Sequence, residues 1–257
     1  MKPVIVKTLR ILCTLAVALP ALSFAEMSIF NALVNNNVLA TVGNKNGIFN
    51  ETKSLSRSAG EPPAQTQGGG QAQGGGQAPV QAPAPAGGKG SLYSGQDFAT
   101  TKGIELLVSG YAREQQPQIA EMYTKIILSF NDAVPRTYGI PKNNLATAYA
   151  TILAGSYSAY TNQTFPDELV VPLYKQMEAR MRGNPRIYQA SMNDKNAMYQ
   201  VCVGIGMFMM VAQLELTKNP NPAQQAQLQQ AGANALRALL GVEPNRVRFT
   251  ANGLEII

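Results

Sequence analysis

The chain has 257 residues, 45% hydrophobic and 14% charged, with a formal net charge of +6, so it carries enough apolar surface for one sizeable core. It contains no histidine and no tryptophan, which removes Ser-His-Asp, Cys-His and HExxH chemistry and every His-ligated metal site. The positive charge forms no dense Lys/Arg tract or basic-aromatic motif, which argues against nucleic acid as a partner.

Residues 1–25 read as a secretory signal. Lys2, Lys7 and Arg10 give a basic start, residues 11–19 an apolar stretch, and Ser23-Phe24-Ala25 a small-x-small cleavage site. Cleavage after Ala25 is expected, giving an exported protein, periplasmic or secreted, whose formal charge falls by the three cations of the signal. The apolar stretch is too short, and ends too soon at Pro20, to serve as a membrane anchor. Cys13 leaves with the signal, so Cys202 has no partner for an intramolecular disulfide. Within an apolar run it reads as an inert core thiol.

Residues 26–57 combine apolar positions with an Asn cluster and read as a partly ordered N-terminal arm. Residues 58–90 change to Gly, Gln, Pro and Ala, with the tandem QGGGQA-QGGGQA over 67–78. Such a stretch buries too little apolar surface to offset its conformational entropy and reads as a disordered linker. As a flexible coil it would reach roughly 30 Å. It is no phosphate cradle, because the GK[ST] ending and a strand-to-helix setting are missing.

Residues 91–257 read as one all-α domain, a multi-helix bundle around a buried central helix with a small C-terminal β-hairpin. Ile104, Leu107, Val108 and Tyr111 give the face of a first helix. Ile119, Met122, Tyr123, Ile126, Ile127, Phe130 and Val134 give that of a second, which Pro135 is expected to end. After Asn143 or Asn144 as N-cap, a third stripe runs through Leu145, Ala148, Tyr149, Ile152, Leu153, Tyr157 and Tyr160. A fourth helix over 167–182 begins near Pro172 or kinks there, carries Leu169, Leu173, Met177 and Met181 inward, and stops at Gly183. Asn184-Pro185 opens a short helix and Asn221-Pro222 the last one, which Gly241 closes. In that last helix Leu228, Ala231, Leu236, Leu239 and Leu240 face the core and Gln227 the solvent.

The central helix is expected over 191–218. Ser191 and Asp194 form a capping-box-like start, and Lys218 with Asn219-Pro220 marks the end. Between them lies an uninterrupted apolar run of about 12 residues, 201–212, against the roughly 20 that span a bilayer, so no transmembrane span is expected in the mature chain. A helix apolar all round must then be enclosed by protein. In the tail, Asn252-Gly253 has the sequence of a two-residue hairpin turn, which would pair Ala251 with Leu254 and Phe249 with Ile256.

Each candidate site has an ordinary structural explanation beside it. Arg180, Arg182 and Arg186 suit an anion or a ligand, although cations near a helix C-terminus also complement its dipole. Tyr149, Tyr157 and Tyr160 offer apolar bodies with polar tips for a ligand pocket, but their spacing matches a core stripe. Met207, Met209 and Met210 suit a plastic binding groove or gap-filling core. Asp167 and Glu168 are an acid pair for catalysis, or acids at a helix start as the dipole favours. No metal and no cofactor is expected.

The stretch GIPKNNLATAYATILAGSYSAYTNQ at 139–163, with NDKNAMYQ at 193–200, resembles an uncharacterised family of exported bacterial α-helical proteins. The resemblance covers about half the chain, leaves out the linker and supplies no catalytic residue. The expected function is a non-catalytic interaction or envelope-associated module with an envelope or extracellular protein as partner. The alternatives are a carrier of a small apolar ligand inside the bundle and a His-independent carboxylate enzyme acting on glycan or peptidoglycan.

Overall fold

The computed structural model describes residues 91–182 and 184–257. The signal, arm and linker segments, and Gly183 as the stop of the fourth helix, lie outside the described residues. Seven α-helices are present among the described residues: α1 Lys102–Val108, α2 Gln116–Tyr138, α3 Leu145–Thr161, α4 Val170–Met181, α5 Pro185–Gln189, α6 Met192–Lys218 and α7 Pro222–Leu240. A 3-10 turn, Asp167–Leu169, leads into α4, and a second, Pro244–Arg246, leads into the hairpin β1 Val247–Thr250 and β2 Gly253–Ile256. Helices α3, α1, α2 and α7 pack around α6, as an all-round apolar helix requires, while α4 packs on α3 and the hairpin.

The helix ends follow local chemistry. Ser191 accepts from the Asp194 N–H at 3.1 Å and donates to its carboxylate at 2.7 Å, completing the expected cap of α6. Asn144, Asn184 and Asn221 cap α3, α5 and α7 through their side-chain oxygens. Gly139 and Gly241 close α2 and α7 in the left-handed conformation, where a Cβ is costly. Pro135 does not end α2. It cannot donate the bond that its missing N–H would make, but its own carbonyl accepts from the Gly139 N–H at 3.0 Å, and the helix continues to Tyr138.

Ile205 is fully buried, as are Val201, Val203, Met209 and Ala212. By overall length and hydropathy α6 would suffice to cross a membrane, yet 94% of its apolar window is enclosed by the protein. Its principal neighbour is α3, followed by α1. The two long helices meet backbone to backbone: a Cβ on Gly206 would lie 2.5 Å from the Thr151 carbonyl oxygen, and one on Gly155 would lie 2.1 Å from that of Gly206. Helix α3 is more than a striped neighbour, since every residue from 145 to 156 is buried. The bundle is thus built on a close pair of core helices. Gln227, expected on the polar face of α7, is half-buried, whereas Ala226 beside it is exposed.

The hairpin register also differs from expectation. Phe249 pairs with Leu254 and Val247 with Ile256, and Ala251-Asn252 form the turn. Gly253, at φ 102°, supplies the only positive φ there. Helix α4 fixes this register from outside, because Gln176 donates to the Leu254 carbonyl at 2.9 Å and accepts its N–H at 2.7 Å. The shift is even in register, so Phe249 and Leu254 still face the core. Phe249 stacks edge-on against Tyr157 and Phe165, with ring centroids 4.8 and 5.1 Å away.

Candidate functional site

Four helices leave an apolar cleft between them, of about 540 Å³ when the open space at its mouth is counted. Helix α2 contributes Phe130, Val134 and Tyr138, spaced one turn apart. Because α2 runs on past Pro135, Tyr138 falls in line with the other two. Helix α3 contributes Thr147, Ala150, Thr151 and Ala154, and its small side chains are what leave the space open. Val170 and Leu173 of α4, Met207 and Met210 of α6, and the loop residues Ile140 and Phe165 complete the wall.

The lining is apolar even where the residues are not. Thr147 donates its hydroxyl to the Pro141 carbonyl at 2.7 Å and Thr151 to the Thr147 carbonyl at 2.8 Å, so both hydroxyls are committed to backbone. Tyr138 donates to the Asp167 carboxylate at 2.6 Å. Tyr138, Val170 and Met210 are half-buried and the other lining residues are buried, so these three mark the mouth.

A second cluster lies on the N-terminal half of α6. Asn196 donates to the carbonyls of Ser94 and Gln96 at 3.0 and 2.9 Å. Gln200 donates to the Thr100 carbonyl at 2.6 Å and accepts the Ile104 N–H at 3.1 Å. Lys195 reaches the Ser91 carbonyl at 3.1 Å, and burial lowers the pKa of its ammonium. Beside them Asp97 accepts from Asn131 at 2.8 Å and Asn143 at 2.7 Å and pairs with Lys142 at 3.3 Å, while the buried Tyr199 hydroxyl donates to Asn131. Burial pushes the Tyr199 phenol above its ordinary value. These groups strap residues 91–104 to the core helix, and their polar atoms are consumed in doing so.

Of the residues singled out in the sequence, Met207 and Met210 reach the cleft and the tyrosines and arginines do not. Tyr149 is buried with its hydroxyl 3.5 Å from the Leu239 carbonyl, on the α7 side of α3. Tyr157 belongs to the aromatic cluster with Phe165 and Phe249, and the Tyr160 backbone lies against Gly232 of α7. Arg182 pairs with Glu178 at 3.0 Å, Arg180 is half-buried with its pKa lowered by that burial, and Arg186 is exposed at the start of α5. Burial alone would raise the Glu178 pKa, but hydrogen bonds from Tyr174 and Arg182 outweigh it and hold the carboxyl below its usual range. Neither Asp167 nor Glu168 lines the cleft; Asp167 touches it through Tyr138, and Glu168 is exposed. Cys202 is fully enclosed and its thiol is pushed up to about 12, as expected of an inert core thiol. No group of three acidic or cysteine side chains among the described residues is placed to hold a metal.

Fold and cleft together define an all-α protein with two packed core helices and a lateral apolar cleft. The chain belongs to DUF6683, a family of unknown function, whose model matches residues 9–257. The match therefore extends well beyond the half of the chain that carried the resemblance and runs through the Gly/Gln-rich segment. No curated protein and no solved structure matches this chain.

Proposed function

We propose that the chain is an exported, non-catalytic binding protein of the bacterial envelope whose helical body takes a small apolar ligand into the cleft between α2, α3, α4 and α6. The observation that supports this reading is the lining: the cleft is walled by apolar side chains, with both threonine hydroxyls turned into backbone bonds. Protein interiors leave few voids larger than a water, and small-molecule sites are concave and mostly apolar. Met207 and Met210 give the wall adaptable side chains. Export rests on the basic, apolar and small-x-small pattern of residues 1–25.

The interaction-module reading shares the signal and the tether, but the cleft favours a small ligand over a protein partner. The carboxylate-enzyme reading has less support, since Asp167 and Glu168 do not face one cavity together. Native mass spectrometry of the full chain, recovered from its own envelope without detergent, tests the proposal. A bound lipophilic mass that is lost on extraction with organic solvent is expected; recovery of the bare chain mass alone would overturn it.

A further inference from the structure

Most of the cleft wall comes from helices, but Ile140 lines it from the loop between α2 and α3, and that loop is held by the strap. We propose that residues 91–101 are the latch of the cleft: seated, they keep the 139–144 loop in place and Ile140 in the wall; lifted, they let that wall withdraw and the bound apolar ligand leave. The inference rests on the binding reading above and adds the regulation of the same site.

The strap grips the loop at its far end. Ser94 donates its N–H to the Asn143 carbonyl at 2.8 Å, and the Leu92 carbonyl accepts the Leu145 N–H at 2.9 Å. Asp97 accepts from the Asn143 side chain at 2.7 Å, pairs with Lys142 at 3.3 Å, and accepts at 2.8 Å from Asn131 of α2, the residue after the lining Phe130. Asn143 stands at φ 51°, in the left-handed region that a side chain makes costly, and on the strap Phe98 does the same at φ 54°. Such residues persist only where the surrounding contacts over-determine them. Lifting the strap takes from Asn143 its bonds to Ser94 and Asp97. Ile140 lies between that residue and Gly139, itself at φ 68°, so the shape that presents it to the cleft loses its support.

The strap is also separable from the core. Between Ser91 and Thr101 the chain has no helix and only an isolated bridge, Tyr93 with Asn144, and side chains of Lys195, Asn196 and Gln200 hold it from α6. A segment held in this way opens at less cost than a packed helix. Two states that differ in ligand affinity are coupled to the ligand in both directions, typically by roughly 5–150-fold.

The test reads both directions on the full chain with N-phenyl-1-naphthylamine, a neutral apolar probe. Saturating probe is expected to slow hydrogen exchange at the Ser94 and Leu145 amides about fivefold or more beyond any slowing at the Gly241 amide of α7, a measurement that needs no variant. Asp97→Ala should weaken probe binding about fivefold or more and speed its release, although Asp97 does not line the cleft. Asn221→Ala, which removes the α7 cap outside strap and cleft, should lower the Tm and leave the probe's affinity unchanged. Slowing no greater than at Gly241, affinity unchanged by Asp97→Ala, or an equal loss in Asn221→Ala overturns the latch and leaves the cleft standing. Failure of the probe to bind the unaltered chain overturns the binding reading and the latch with it.

Discussion

The two halves of α6 are both enclosed by the protein and do opposite things. Between 195 and 200 the helix buries Lys195, Asn196, Tyr199 and Gln200, and each spends its polar atoms on a named partner in the 91–104 strap or the Asp97 cluster. From 201 to 212 it is apolar; it touches α3 so closely at Gly206 that no side chain fits, then opens at Met207 and Met210 onto the cleft. Buried polar groups must be satisfied, and satisfaction fixes one geometry. Apolar groups need only be covered, so that half can tolerate a cleft where the facing helix carries Ala150 and Ala154.

The comparison breaks most completely in the apolar half. Ile205→Asp buries a carboxylate with no partner, at a cost of several kcal/mol against a total of roughly 5–15, so the chain should largely unfold. Ala226→Asp, on the exposed face of α7, should cost about 0.5 kcal/mol or less. Equal, near-native thermal melts of the two would contradict the assignment of α6 as core.

Met209 and its neighbour sharpen the contrast within one turn. Met209→Ala, at a fully buried position, should cost about 2–5 kcal/mol in urea unfolding as a cavity opens. Met210→Ala, half-buried at the mouth, should cost about 1 kcal/mol or less, because the space beside it already exists. A Met210 variant as damaging as the Met209 one would mean that the mouth is closed.

In the polar half, Asn196→Ala removes the donor to Ser94 and Gln96 and should cost about 1–3 kcal/mol. The loss should be local. Hydrogen exchange should speed up at Ser94, whose N–H bonds to the Asn143 carbonyl, and stay slow within α3. Uniformly faster exchange would show that the strap and the core pair open as one unit.

The fold was largely legible in the sequence because its signals are local. The Asn-Pro pairs, Ser191 with Asp194 and Gly241 each set a helix end through backbone chemistry that needs no distant partner. What was not legible depended on contacts far apart in the chain. The hairpin register follows from Gln176, on a helix remote in sequence, and the completeness of α3 burial follows from three neighbours rather than one stripe. The cleft itself arises where small residues on α3 face methionines on α6, and no periodicity reports such a mismatch. Reading Pro135 as a stop also hid Tyr138, which reaches the mouth only because α2 continues. The tyrosines, read from their spacing as a core stripe or as a ligand pocket, divide: Tyr149 is buried, whereas Tyr157 and Tyr160 are half-buried against the hairpin side and α7. A signal for the strap was present in Asn196 and Gln200, polar residues entering a buried helix, because such groups demand partners.

The claim that the cleft is a binding site is tested most directly by fluorescence titration of N-phenyl-1-naphthylamine, a neutral apolar probe, into the full chain and into an Ala154→Leu variant that fills the α3 wall. The account predicts saturable binding at one site with a rise in emission, and loss of that binding in the filled variant at a retained or raised Tm. Absence of saturable binding to the unaltered chain, or equal binding to both, would contradict it.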